Sequence, residues 1–343
     1  MPGENPMEAS RVIAGELPDL PHLAELPGRG PGADITGRTA GLLVDMPVEL
    51  AGPRGWRIAE RPGRDVRRAR SLLSSDLDAM EETLTGYAGP LKIQLAGPWT
   101  LAATIEQPHS LNSALADPGL VADLTSSLAE GVAAHVAEVV KRVPQAVILL
   151  QLDEPALPVV INGGVPTPSG LGRVRVVDVE ILRDRLREVL DATRAYTVVH
   201  CCAAGYPFGI ITEAGANAVS FDLALLTAAD HDALAEIAEA GTGLLVGAVS
   251  TTRDPELGSR GGDGAATARA RGNERVRLTP TDTAKSVGEL WHRMSQPPDR
   301  CAEQVVVTPA CGLAGASPDR ARTILRWCRE TAEILPEMMG EQG

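Results

Sequence analysis

At 343 residues the chain has room for one large domain or two ordinary ones. Its formal net charge of −13 argues against a nucleic-acid surface, which needs clustered Lys and Arg. Hydrophobic residues make up 44% and aromatics only 3%, so a substantial core is expected, built from Val, Leu, Ile and Ala.

Taken in chain order, the first pattern is a helical run from Glu8 to Gly15, followed by a strand-like run from Gly41 to Val44. The Arg-rich stretch from Arg61 to Arg70 is interrupted by Asp65 and apolar residues, and it reads as a solvated helix face. A helix over Leu72 to Leu84 then leads to a second strand-like run, Leu91 to Leu95. A long Ala/Val/Leu amphipath, Pro118 to Val140, precedes the third run, Ala146 to Leu152. Val179 to Thr193 is helical by spacing, and runs four and five are Tyr196 to His200 and Ala218 to Phe221. Ala229 to Ala240 is helical, and Gly243 to Val246 is the sixth run. Residues Ser250 to Pro280 are rich in Gly and Arg and lack an apolar period; they are expected to form a long flexible insertion or a lid. The chain closes with a helix over Thr281 to Met294, a seventh run at Gln304 to Thr308, and a helix over Pro318 to Leu335 capped by Ser317.

The strand-like runs are short, apolar and mostly non-alternating, as strands buried on both faces are. Their alternation with helices predicts a parallel sheet with helices outside, and seven or eight units in this length predict a (β/α)8 TIM barrel, one catalytic domain over residues 1–343. A doubly wound open sheet is the alternative, but no Gly-rich nucleotide turn follows the first strand. Seven strands is one short, so the first is expected to be lacking, truncated or upstream of Met1. No apolar run approaches the ~20 residues of a spanning helix. Residues 1–10 hold acids and prolines in place of a secretory signal. A cytoplasmic protein follows, with no membrane and no nucleic-acid partner. Five cysteines in such a chain point to metal or catalytic thiols over disulfides.

In a barrel the active site forms at the C-terminal strand ends. Those ends here carry Asp153-Glu154 after the third run, His200-Cys201-Cys202 after the fourth, Asp222 after the fifth and Cys311 after the last. Asp45 closes the first run and could line the mouth. On an extended segment His200 and Cys202 share a face while Cys201 points away. A mixture of imidazole, thiolates and a carboxylate suits Zn²⁺, with His200, Cys202, Asp222 and Cys311 as candidate ligands. The remaining histidines lie in loops or on helices with no ligand partner near in sequence. Cys301 and Cys328 read as a loop thiol and a buried helix residue.

Several segments resemble the C-terminal catalytic barrel of the cobalamin-independent methionine synthases. They are Gln151-Leu152-Asp153-Glu154-Pro155-Ala156-Leu157, Val199-His200-Cys201-Cys202, Pro309-Ala310-Cys311-Gly312-Leu313 and the Gly97-Pro98-Trp99-Thr100 turn. The resemblance covers nearly the whole chain. It implies zinc held by His200, Cys202 and Cys311, with the family's glutamate ligand replaced by the shorter Asp222. It implies that Asp153 binds the ammonium of a homocysteine acceptor. Glu154 beside it is read from its position as assisting there or capping the next helix. The donor it implies is a methyl-folate, with a methyl-corrinoid protein as the option from related barrels. There are departures. The family has two barrels and this chain has length for one. The Ile-Gly-Ser motif that holds the acceptor carboxylate is absent, and the proton-donating histidine falls on Thr252. The tryptophan that packs on the folate falls near Thr104. Two other readings stay open: a non-catalytic zinc- or thiol-binding paralogue, and a barrel enzyme similar to uroporphyrinogen decarboxylase, which has no use for Cys202 and Cys311.

Overall fold

A computed structural model describes residues 1–52, 55–251 and 278–340. Most of the expected insertion, including Thr252, lies outside the described residues.

The chain opens with α1 (Pro6–Glu16), whose Asn5 side chain accepts from the Met7 and Glu8 amides ahead of Pro6 at the first helical position. Helix α2 (Ile35–Ala40) is capped by Asp34, which accepts from Gly37 N at 2.6 Å. A hairpin follows, β1 (Val48–Leu50) antiparallel to β2 (Trp56–Ile58), and then α3 (Arg64–Thr83). Next come β3 (Pro90–Ala96), α4 (Pro98–Thr104), α5 (Pro118–Arg142), β4 (Val147–Asp153), α6 (Leu157–Ile161) and α7 (Val179–Leu190). The rest is β5 (Tyr196–Cys201), α8 (Phe208–Glu213), β6 (Ala218–Asp222), α9 (Asp230–Glu239), β7 (Gly243–Val249), α10 (Pro280–Arg293), α11 (Pro298–Gln304), β8 (Val305–Pro309) and α12 (Pro318–Gly340). Ser317 does cap α12, accepting from the Arg320 amide at 3.3 Å.

Strands β3 to β8 pair in sequential order, all parallel, and curl into half a barrel. Successive residues on each strand face opposite sides. Leu91, Ile93, Leu95, Ile148, Leu150, Leu152, Val199, Phe221, Leu244 and Val246 turn outward, where they join the main core beneath the helices. Cys201 turns outward with them and is 1% exposed. The concave face carries a second, small apolar layer of Val198, Ala218 and Leu245 with Val306 against it. Among the described residues no helix is long and apolar enough to cross a membrane.

One expectation about the first strands is corrected. Gly41 to Val44 is not a strand. Gly41 ends α2, its amide reaching back to Gly37 O at 3.0 Å, and Val44 is tied to α5 by Ser127, whose hydroxyl donates to Val44 O at 2.6 Å. A four-residue apolar run cannot by itself distinguish a buried turn from a strand. A short parallel pairing flanks β3 on its other edge. His22 bridges Lys92 in parallel, with Lys92 N donating to Pro21 O (3.0 Å) and Leu23 N donating to Lys92 O (2.9 Å). The described residues thus show six parallel strands and this flanking bridge, part of a barrel and not the full eight strands expected.

Candidate functional site

Register places the candidates. Asp153 on β4 pairs with His200 on β5, and His200 pairs with Ser220 on β6. All three are on the concave face, one step above the Val198–Ala218 layer. Asp222 lies one further step along β6, opposite Gly247 of β7. Cys202 follows the end of β5, and Cys311 follows the end of β8.

The two sulfurs, 109 residues apart in sequence, meet at 3.4 Å. His200 hydrogen-bonds Cys311 as well, and His200 Nδ1 sits 2.9 Å from Ser220 Oγ. The contact splits the two thiols, favouring ionisation of Cys311 over that of Cys202. The hydrogen bonds from Cys202 and from His200 pull Cys311 down to about 4, and burial opposes them. Cys202 is pushed up correspondingly by that same hydrogen bond, then by burial. Asp222 is half-buried and uses Oδ1 to accept from Ala224 N at 2.9 Å. Burial raises it, and the field of Cys311 raises it further while His200 opposes.

Among the described residues no three His, Cys, Asp or Glu side chains stand in the arrangement of a formed metal site. The donors nevertheless fit zinc in kind. Two sulfurs each 2.3 Å from a tetrahedral ion lie about 3.8 Å apart, close to the spacing observed, and the separation is too long for a disulfide. His200 already has a hydrogen-bond partner on Nδ1, the arrangement that orients a ligating imidazole. Asp222 would have to offer its free Oδ2 or give up its bond to Ala224.

Asp153 accepts from Gln151 Nε2 at 2.6 Å. Burial raises its pKa, and His200 and Lys92 work in the other direction. Glu154 takes the capping role of the two expected for it, but on another helix. It points away from the concave face and caps α4, the helix after β3, and not the helix that follows it. Its carboxylate accepts from Trp99 N (2.9 Å), Thr100 N (2.7 Å) and Thr100 Oγ (2.7 Å). Burial still lifts Glu154 to about 7. Asp45 is not at a strand end. It is exposed, with φ of +53°, in the turn between α2 and β1. Among the described residues it shares no hydrogen bond or ion pair with the other candidates. Thr104 belongs to α4 and donates to Thr100 O at 2.7 Å.

A group of charges beside Asp153 went unread in the sequence. Lys92 and Gln94 are on the concave face of β3, and Glu25 and Arg38 come from the segments before and within α2. The alternation of Lys92 and Gln94 with Leu91, Ile93 and Leu95 was the available signal, because a strand apolar on both faces would not carry it. Glu25 is mostly buried, and burial lifts it to about 7, with Asp153 adding and Arg38 opposing. An acid with a raised folded pKa binds a proton more tightly when folded. Its contribution to stability is therefore full below about pH 4.5 and is lost as pH rises towards 7. Denaturant unfolding from pH 4.5 to 7.5 should show a decline of at most about 3 kcal/mol from this group, and Glu25→Gln should flatten it. An unchanged pH slope in that variant would contradict the assignment.

No protein-family model matches the chain. No curated protein matches it either. Among solved structures, the fold is similar to a B12-independent methionine synthase from Shewanella sp. W3-18-1, solved in complex with selenomethionine. The TM-score is 0.52 and the identity 14%, over 83% of this chain and 72% of that one. At that identity the likeness speaks for the fold.

Proposed function

We propose that this chain is a zinc-dependent S-methyltransferase that methylates a small thiol, with homocysteine the expected acceptor and methionine the product. The reading treats residues 1–343 as one catalytic unit of the cytoplasm, with a complete barrel architecture as its parent. The observation that carries it is the meeting of Cys202 and Cys311 at 3.4 Å beside His200, at the ends of two strands that are far apart in the sheet. The likeness of fold to a methionine synthase supports it.

His200, Cys202 and Cys311 would hold the ion, and Asp222 could supply an oxygen that an incoming sulfur displaces. Bound zinc favours the thiolate form of an acceptor that is otherwise mostly protonated near neutral pH. The rest belongs to the chain. Ser220 fixes the ring of His200 through Nδ1. Asp153, aligned by Gln151, offers a carboxylate to the acceptor ammonium. The apolar layer of Val198, Ala218, Leu245 and Val306 closes the floor beneath.

The donor remains a choice between a methyl-folate and a methyl-corrinoid protein. Methyl transfer to homocysteine, assayed with both donors side by side on zinc-loaded protein, tests the proposal. Product with either donor supports it. Zinc-loaded protein that binds the thiol and transfers from neither favours the alternative of a zinc- and thiol-binding paralogue, for which the displaced histidine at Thr252 speaks. Ser220→Ala should weaken zinc retention against a chelator by about tenfold, and an unchanged affinity would remove Ser220 from this role.

A further inference from the structure

We propose that Arg38 and Lys92 form an anion subsite where α2 meets β3, which selects the thiol acceptor by its carboxylate. This rests on the thiol-acceptor reading above and adds the residues that would read the acceptor's carboxylate.

Arg38 lies in the last turn of α2 and is 2% exposed. Its Nη1 donates to Ala24 O at 3.1 Å and stands 3.8 Å from the Glu25 carboxylate. Among the described residues its Nε and Nη2 have no hydrogen-bond partner, and both are buried. Those two nitrogens are the side-on fork of a guanidinium, the edge that takes a carboxylate in two parallel bonds. A buried donor pair without an acceptor is costly, and a ligand oxygen pair would satisfy it.

Lys92 rises from the neighbouring strand, and its contact with Gln94 Oε1 is stretched to 3.5 Å. Arg38 and Lys92 both lie within the field of Asp153 and of Glu25, so the four groups share one region. Asp153 in turn feels His200 and Cys311, which makes that region continuous with the thiol pair. The neighbouring acid Asp76 is already taken by Arg29, through bonds of 2.7 and 2.6 Å. Glu25 faces a burial cost on ionising. Glu25 and Asp153 are then the acids facing Arg38 and Lys92, and neither holds the fork of Arg38. Ala96, opposite Asp153 in the register, takes up little of the space between.

An acceptor carboxylate would fill the Arg38 fork and complete the charge balance of Lys92. Loss of the acceptor's ammonium costs less, because Asp153 keeps Lys92 and Gln151 as partners. Loss of the carboxylate leaves the fork empty and brings an ammonium towards two cations.

Calorimetric binding to the zinc-loaded protein tests this with homocysteine, 4-mercaptobutanoate (no ammonium) and 3-aminopropane-1-thiol (no carboxylate). The first two should bind within about tenfold of each other and the third at least about 100-fold more weakly. Arg38→Gln and Lys92→Gln should each shrink that gap by about tenfold or more, with zinc content unchanged. Because Arg38→Gln replaces a buried residue and could fail to fold, the analogue series on the unmodified protein and Lys92→Gln decide by themselves. Two analogues bound within about threefold of each other, or a gap that survives Lys92→Gln, would overturn the subsite while leaving the zinc reading standing. Protein that takes up no zinc and binds none of the three thiols strikes the thiol-acceptor reading, and the subsite with it.

Discussion

Cys202→Ser and Cys311→Ser are each expected to lower zinc affinity by at least about two orders of magnitude and to abolish methyl transfer. Neither cysteine supports the core. Cys202 is only half-buried and Cys311 is exposed, and the polar contacts of both sulfurs are within the candidate site. The fold should therefore survive either change, with a denaturation midpoint close to that of the parent protein. Cys201→Ser provides the internal contrast. Its side chain is buried in the main core on the opposite face of β5, so a hydroxyl there should cost stability and leave zinc binding intact. The three variants, scored together for metal content and stability, separate ligand from core residue at the adjacent positions Cys201 and Cys202, with Cys311 as the distant partner. Retained zinc in both Cys202→Ser and Cys311→Ser would remove the pair from the metal site.

Glu154→Ala is expected to produce the largest loss of stability, about 3–5 kcal/mol in denaturant unfolding. The carboxylate is fully buried and serves two backbone amides and one hydroxyl at the start of α4. Removing it strands all three donors and leaves the helix N-terminus without the negative charge that favours it. Glu154→Gln keeps one oxygen acceptor and should cost less. Gly97→Ala should approach the alanine loss by another route, because a Cβ at Gly97 would collide with the Glu154 carboxylate and push it off the amides. A loss below about 1 kcal/mol in Glu154→Ala would mean that those donors find other acceptors.

Much of the parallel sheet was legible because its strands are short apolar runs separated by patterned helices. The six runs from Leu91 to Thr308 all became strands, within one or two residues at most ends. The helix starts were legible where a cap and a proline coincide, as at Asp117-Pro118 and Ser317-Pro318. The strands of the first quarter were not. Leu42, Leu43 and Val44 are as apolar as a strand, but their places are set by Ser127 of a helix some eighty residues later, which no local pattern announces. Pro21 to Leu23 bridges β3 over too short a stretch, and too near prolines, to read as a strand. The antiparallel hairpin of β1 and β2 was hidden by its Gly/Pro-rich turn and its three-residue strands.

The thiol and imidazole positions were legible because strand ends in this architecture collect functional side chains, and His200 and Cys202 share a face by simple alternation. Glu154 was adjacent in sequence to Asp153 and was grouped with it. The same alternation sends it to the other face, where α4 claims it. Asp45 was misplaced with its strand. Arg38 and Glu25 could not have been found this way, because they come from α2 and the segment before it and reach Asp153 only through the packing of α2 on β3.

Zinc X-ray absorption on the loaded protein, with and without homocysteine, tests the central claim most directly. The account predicts about one zinc per chain, bound by two sulfurs with nitrogen and oxygen making up about four ligands, and a third sulfur on addition of the thiol. A sulfur count that does not change on adding homocysteine, or protein that binds the thiol equally well without metal, would contradict it.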